Sequence, residues 1–154
     1  MSTDSEVIAE VFAAFDKVER PEHFTNHLHC EECAEHDALL TAHDRETLEL
    51  DHVATIEGDP INFCSPQGKA YYLPNLVRFA LEDTDLSSPY WIQLTRHLEG
   101  DGPENSLILY CSHEQRTAVA LFLEHLLETR ASFIDFFDIT DQMLRTHGYW
   151  LPAA

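Results

Sequence analysis

Residues 112–127 read SHEQRTAVALFLEHLL, and this stretch decides the fold class. Ser112 and Gln115 stand three positions apart, which is the capping-box pattern that marks the start of a helix. Apolar residues then recur from Val119 to Leu127 at the spacing of one helix face. The stretch therefore predicts a strong amphipathic helix.

Caps and helical spacing recur on both sides of this segment. Apolar residues predict a first helix over about 4–19, and a second helix is expected over about 30–43. The pairs Ser65-Pro66 and Ser88-Pro89 each combine an N-cap with proline at the first helical position. Pro74 lies inside the helix that follows Pro66, so we expect that helix to kink or to start again there.

These elements predict an all-α fold, a compact orthogonal bundle of about five to six helices. The apolar run 107–111 is the exception, because it has the pattern of a short strand or extended segment. A chain of 154 residues is long enough for a real core and fits one domain. We therefore expect residues 1–154 to form a single acidic helical domain.

The net charge of −19 sets the class of partner. Phosphate groups repel so acidic a surface, so we expect no nucleic-acid binding and no binding to anionic membranes. A basic protein partner is compatible with the charge, and so is a role in keeping the chain soluble.

The chain has no run of about twenty apolar residues, which predicts that no helix crosses a membrane. The acidic N-terminal segment lacks the basic start and apolar centre of a secretory signal, so a cytoplasmic location is expected. Four Cys are too few for a disulfide scaffold, and reduced thiols or metal ligands are the expected state.

One segment carries recognisable chemistry, His27 to Asp37, which reads HLHCEECAEHD. At about 100° per residue, His29, Cys33 and His36 would share one helix face, with Cys30 beside it. Thiolate and imidazole form the ligand set that zinc prefers. The sequence therefore predicts a zinc site at Cys30, Cys33, His36 and His29.

Several alternatives remain open at this level. The ligand set can be completed from elsewhere, by His23, His52, Cys64 or Cys111, and Asp37 suits a harder ion. A buried core face is a second explanation, because one helical stripe is formed by Cys33, His36, Leu39, Leu40 and His43. Covalent haem is excluded because Ala34, and not His, follows the second cysteine.

A disulfide-exchange role for the two cysteines is a weaker hypothesis. No strand precedes Cys30, as it would in a thioredoxin-like context. The neighbouring Glu31, Glu32 and Glu35 are expected to raise the thiol pKa and so to lower the reactivity of the thiols.

Three short motifs carry a resemblance to a known family. These are the Cys30–Cys33 segment, the run from Ser65 and Pro66 to Tyr71-Tyr72-Leu73-Pro74, and Glu114-Gln115-Arg116 leading to Phe122-Leu123-Glu124. Together they resemble a bacterial family of small proteins described as a domain of unknown function, over about residues 24–127. The resemblance implies a bacterial source and a compact, mainly helical domain, and it supplies no activity and no catalytic residue.

Three functions follow as hypotheses. The first is a non-enzymatic domain in which zinc pins the loop after the first helix to the second helix. The second is an acidic interaction module that neutralises a basic partner. The third is a small hydrolase or redox enzyme, which ranks last because the sequence contains no complete set of nucleophile, base and orienting group.

Overall fold

The two longest helices begin at the caps that the sequence marks, whereas the cap predicted at Ser88 is wrong, because that helix begins at Tyr90 with Pro89 at its N-cap and no side-chain cap. In the computed structural model, which describes residues 2–153, the Ser112 hydroxyl accepts from the backbone N–H of Gln115, and the backbone N–H of Ser112 donates to the Gln115 side chain. Ser65 caps Gly68 in the same way, with Pro66 in the first turn. The first and last residues of the predicted 1–154 domain lie outside the described part.

The described residues confirm the all-α class. They form nine α-helices and two 3-10 helices without a strand, and one isolated antiparallel bridge joins Thr25 to Cys64. The α-helices are α1 (Asp4–Ala14), α2 (Glu31–Thr41), α3 (Leu50–Val53), α4 (Pro66–Glu82), α5 (Tyr90–Glu99), α6 (Ser106–Tyr110), α7 (His113–Thr129), α8 (Ala131–Phe136) and α9 (Thr140–Trp150). The 3-10 helices are Pro60–Phe63 and Gly102–Glu104.

Three sequence-based details differ from this structure. The strand or extended segment predicted at 107–111 is wrong, because Ser106–Tyr110 is a helix. Its cap is Asn105, whose Oδ1 accepts from the backbone N–H groups of Leu107 and Ile108. The first helix ends at Ala14 and not near residue 19. α4 continues across Pro74 as one helix, so of the two expected outcomes, a kink or a restart, the restart does not occur.

The long helices pack against one another around one apolar cluster. α1 packs on α4 and α7, α4 packs on α5, and α7 packs on α9. The large buried side chains are also tied by hydrogen bonds, as where the Trp150 indole N–H donates to the Leu98 carbonyl at 2.9 Å. Because the indole N–H has this partner, its burial costs little free energy, and the apolar ring remains in the core.

α2 is fixed to this core at its C-terminal half. The Tyr72 hydroxyl lies 2.8 Å from the carbonyl oxygen of Leu40, which is fully buried. Arg20 donates to the carbonyl of Thr41 at 2.7 Å. The helix also packs on the 3-10 helix Pro60–Phe63. The C-terminal half of α2 therefore anchors the helix, and the two cysteines of the predicted metal site lie at its other end.

Candidate metal centre

The N-terminus of α2 is capped by a cysteine. Cys30 is extended, with φ −163° and ψ 172°, and its Sγ accepts from the backbone N–H of Cys33 at 3.3 Å. The first N–H groups of a helix have no partner within it, so a side-chain acceptor at this position stabilises the start of the helix. His29 precedes the cap, and its N–H donates to the carbonyl of Asn26 in a turn.

Capping brings three ligand atoms together. The two Sγ atoms of Cys30 and Cys33 lie 3.3 Å apart, and Nδ1 of His29 lies 3.7 Å from the Sγ of Cys33. The three ligand atoms are all within 4.8 Å of one another. A tetrahedral zinc ion with ordinary bond lengths separates two sulfur ligands by about 3.8 Å and sulfur from nitrogen by about 3.5 Å. The Sγ–Sγ distance and the distance from Nδ1 of His29 to the Sγ of Cys33 therefore differ from these values by only about half an ångström or less.

The two thiols differ in protonation. The pKa of the Cys30 thiol falls from 9.0 to about 7, because its sulfur accepts from the backbone N–H of Cys33, contacts the Cys33 thiol and lies beside His29. The pKa of Cys33 rises, because of its hydrogen bond with Cys30, burial, and the charges of Cys30 and Glu32. The expectation that the glutamates would raise the thiol pKa values therefore holds for Cys33 and is wrong for Cys30.

Exposure follows the same asymmetry. Cys30 and His29 are exposed, whereas Cys33 is 7 % exposed and faces the protein. Both cysteines are free thiols, as expected from the sequence. A bound ion would therefore have protein on the Cys33 side and open solvent on the other. The exposed Glu31, Glu32 and Glu35 lie on the same helix and add negative charge to this part of the chain, which attracts cations.

The structure does not place His36 in this group. Its ring stacks on Phe63 of the neighbouring 3-10 helix, with centroids 4.5 Å apart. Its Nε2 lies 3.7 Å from a carboxylate oxygen of Glu32. Of the four predicted zinc ligands, the structure thus brings together His29, Cys30 and Cys33, while His36 contacts the adjacent element.

Three of the distant residues that could complete the zinc site, Cys64, Cys111 and His52, do not reach it. Burial raises the pKa of both Cys64 and Cys111 to about 12, which leaves them as neutral thiols. His52 stacks on His43, and its Nδ1 accepts from the backbone N–H of Glu49. Among the described residues, none of the three belongs to a ligand group with the α2 thiols.

A second ligand group lies beside the first and was not predicted as a unit. His23, His27 and Asp37 have ligand atoms within 4.8 Å of one another. The sequence indicates His23 and Asp37 only as separate ligand candidates. The signal that points to them is the His23-x-x-x-His27 spacing in the loop, together with an acidic residue one helical turn after Cys33.

Asp37 organises the loop around both groups. Its Oδ1 accepts from the backbone N–H groups of Phe24 and Thr25, and its Oδ2 lies 2.8 Å from Nδ1 of His23. Burial opposes its ionisation, but these hydrogen bonds outweigh burial and lower the pKa of the Asp37 carboxyl. Thr25 in turn donates its hydroxyl to the carbonyl of Cys33 at 2.7 Å, which links the loop to the capped turn.

Two wider observations complete the description of the site. Within residues 2–153, every helix is too short or too polar to cross a membrane. Comparison of the chain with known protein families, curated proteins and solved structures gives no match. The resemblance to a bacterial family of small proteins therefore stays a prediction, and the function must be argued from the ligand groups themselves.

Proposed function

We propose that this protein is a zinc-binding domain in which His29, Cys30 and Cys33 hold the ion. The observation that carries the proposal is the mutual reach of the three ligand atoms, with Sγ–Sγ at 3.3 Å and Nδ1–Sγ at 3.7 Å. Such a group holds a metal without any change in the path of the chain.

The chemistry of the three donors favours zinc. Two thiolates and one imidazole suit Zn²⁺ better than the oxygen-preferring magnesium or manganese ions. The Cys30 thiol, with a pKa of about 7, is already about half ionised at neutral pH, so little work is needed to release its proton. The higher pKa of Cys33 means that binding there releases a proton, and affinity falls as the solution becomes more acidic.

The role we propose is local and non-enzymatic. All three ligands come from residues 29–33, so the ion joins the turn at Asn26–His29 to the first turn of α2. It does not join distant parts of the core, whose apolar cluster is complete without it. The fourth coordination position faces solvent and is open to water or to a side chain of another molecule.

The test is elemental analysis of protein purified without a histidine tag. We expect about one zinc per chain in the parent at this site, and its loss in Cys30→Ser/Cys33→Ser and in His29→Ala. The matched controls are Cys111→Ser, which removes a thiol outside the group, and His36→Ala, which removes the predicted ligand that packs on Phe63. A zinc content in the double cysteine variant equal to that of the parent, or a loss in His36→Ala equal to that in His29→Ala, would contradict the proposed ligand set.

A specific observation favours one second candidate, dithiol–disulfide exchange. An exposed thiol of lowered pKa stands 3.3 Å from a buried thiol of raised pKa. The Cys30 thiolate would attack one sulfur of a substrate disulfide and release one substrate thiolate. Cys33 would then lose its proton and attack Cys30, which releases the second substrate sulfur as it takes up that proton. The chain ends with a disulfide, and the substrate gains the two electrons.

Oxidised glutathione distinguishes the two candidates. If exchange is the function, metal-free protein loses two hydrogens in mass, and Cys33→Ser stops as a stable mixed disulfide on Cys30. If zinc binding is the function, the zinc-loaded protein resists this oxidation. Resistance of the metal-free protein would exclude exchange and leave zinc binding as the role of the pair.

A further inference from the structure

We propose that His23, His27 and Asp37 form a second metal site, for a divalent first-row transition ion, that is independent of the thiolate site. Two imidazoles and one carboxylate are a donor set for such ions, and they differ from the thiolate-rich set of the first group. This proposal does not rest on zinc at His29, Cys30 and Cys33, because the two groups share no ligand.

The distances suit direct coordination by His23 and Asp37. Nδ1 of His23 lies 2.8 Å from Oδ2 of Asp37. An ion with bonds of about 2.1 Å at right angles to each other separates two neighbouring ligand atoms by about 3.0 Å. The ion therefore takes the place of the shared proton, and the two side chains move apart by only about 0.2 Å.

Asp37 is fixed before any ion arrives. The residue is 6 % exposed, and its Oδ1 is committed to the backbone N–H groups of Phe24 and Thr25. Only Oδ2 remains for a ligand, and it faces His23. Metal sites gain affinity when a carboxylate is oriented by hydrogen bonds of this kind, because no side-chain freedom is lost on binding.

His27 is the residue that a purely structural role leaves unexplained. The pair His23–Asp37 alone closes the loop onto α2, and the bond needs no third partner. His27 nevertheless stacks on His23, with ring centroids 3.8 Å apart and an angle of 14° between the rings. The stack places a second imidazole, with its ring nitrogens, next to the His23–Asp37 pair, within ligand distance of both.

The exposure of the group allows an ion to enter. His23 is exposed and His27 is half-buried, while Asp37 closes the group from the protein side. The chain as a whole carries a large excess of acid, with 28 acidic and nine basic residues, and this charge attracts cations to the protein.

The experiment is a titration with Co²⁺, which reports ligand type through its absorption. The parent should bind two equivalents, one with an intense sulfur-to-metal charge-transfer band and one without. Cys30→Ser/Cys33→Ser should bind one equivalent without that band. His27→Gln in that background should weaken the remaining binding about tenfold or more. The matched control is His113→Gln in the same background, which removes an exposed histidine on α7 and should leave binding unchanged.

The outcomes separate the two sites. A parent that binds one equivalent, with the sulfur band, overturns the second site and leaves the thiolate site standing. A parent that binds one equivalent without the sulfur band overturns the thiolate site and supports the second site. A parent that binds no Co²⁺ overturns both sites. Equal weakening by His27→Gln and His113→Gln also overturns the second site. Because His27 makes no side-chain hydrogen bond within residues 2–153, its replacement should leave the circular-dichroism spectrum unchanged, and a changed spectrum would contradict the contacts on which the proposal rests.

Discussion

The lowered pKa of Cys30 can be measured as a rate of alkylation. In metal-free, reduced protein, iodoacetamide should modify Cys30 first, with a rate that rises with pH around a midpoint near 7. Cys64 and Cys111, whose pKa values are raised to about 12, should react far more slowly at neutral pH. Peptide mass spectrometry after timed quenching assigns the rate to each cysteine.

The magnitude follows from the pKa. At pH 7 a thiol of pKa about 7 is about half ionised, against about 1 % for a thiol at the ordinary value of 9.0. The thiolate fraction thus rises by about fifty-fold, while the lower basicity costs about six- to tenfold in nucleophilicity. Cys30 should therefore react about five- to eightfold faster at pH 7 than an unperturbed cysteine in a short peptide.

A variant separates the causes of the shift. Cys33→Ala removes the thiol contact but keeps the backbone N–H that caps onto Cys30. Because that N–H is the largest cause of the lowered pKa, the midpoint should rise above 7 and stay below 9.0. A midpoint near 9.0 in the parent would refute the capping argument. An unchanged midpoint in Cys33→Ala would refute the contribution of the second thiol.

Two further predictions concern stability. Arg130 donates two hydrogen bonds to the Asp4 carboxylate and lowers the pKa of the Asp4 carboxyl. The ionised Asp4 therefore stabilises the fold above pH 3.8, and this stabilisation is lost as the pH falls through the lowered pKa. Asp4→Asn should cost about 1 kcal/mol in urea unfolding at pH 7, after allowance for its partial exposure, and the difference from the parent should shrink in acid; a constant difference would contradict the ion pair. Gly68→Ala should lower the free energy of unfolding by about 1 kcal/mol, because the new Cβ meets the Phe24 side chain at 3.0 Å. Gly148→Ala adds its Cβ in open space and should raise the free energy of unfolding by about 0.5–1 kcal/mol. A change of the same sign in both variants would contradict the packing at Gly68.

The sequence predicted the helices that carry local signals. α4 and α7 begin where Ser65 and Ser112 mark them, since a cap is an interaction within four residues. The segment 107–111 failed because a five-residue apolar run fits a buried helix as well as a strand. The deciding contact is the Asn105 cap, which a pattern of alternating or recurring apolar residues does not reveal.

The candidate site was predicted in part for the same reason. The sequence indicated His29, Cys30 and Cys33 because their spacing is local. It added His36 by extending helical geometry back to His29, but His29 precedes the cap and is not helical. The ring of His36 turns to Phe63, a contact with a distant segment that spacing alone does not reveal.

The lowered pKa of Cys30 depends on geometry as well as on neighbours in sequence. Counting the nearby glutamates predicts a raised pKa for both thiols, and this is what Cys33 shows. Cys30 differs because its sulfur sits at the helix N-terminus and accepts a backbone N–H, which stabilises the thiolate at close range. A hydrogen bond at 3.3 Å outweighs exposed carboxylates, whose effect is screened by water.

Two of the proposed ligands, Cys30 and His27, lie outside the apolar core, and this makes the proposals testable by mutation. α2 is held by Leu40 in the core, by the hydrogen bond of Tyr72 to its carbonyl, and by Arg20 at its C-terminal end. Neither Cys30 nor His27 belongs to the apolar core, so replacing either removes donor atoms without opening a cavity. Loss of metal binding in a variant that keeps the urea unfolding midpoint of the metal-free parent would therefore report on ligation and not on folding.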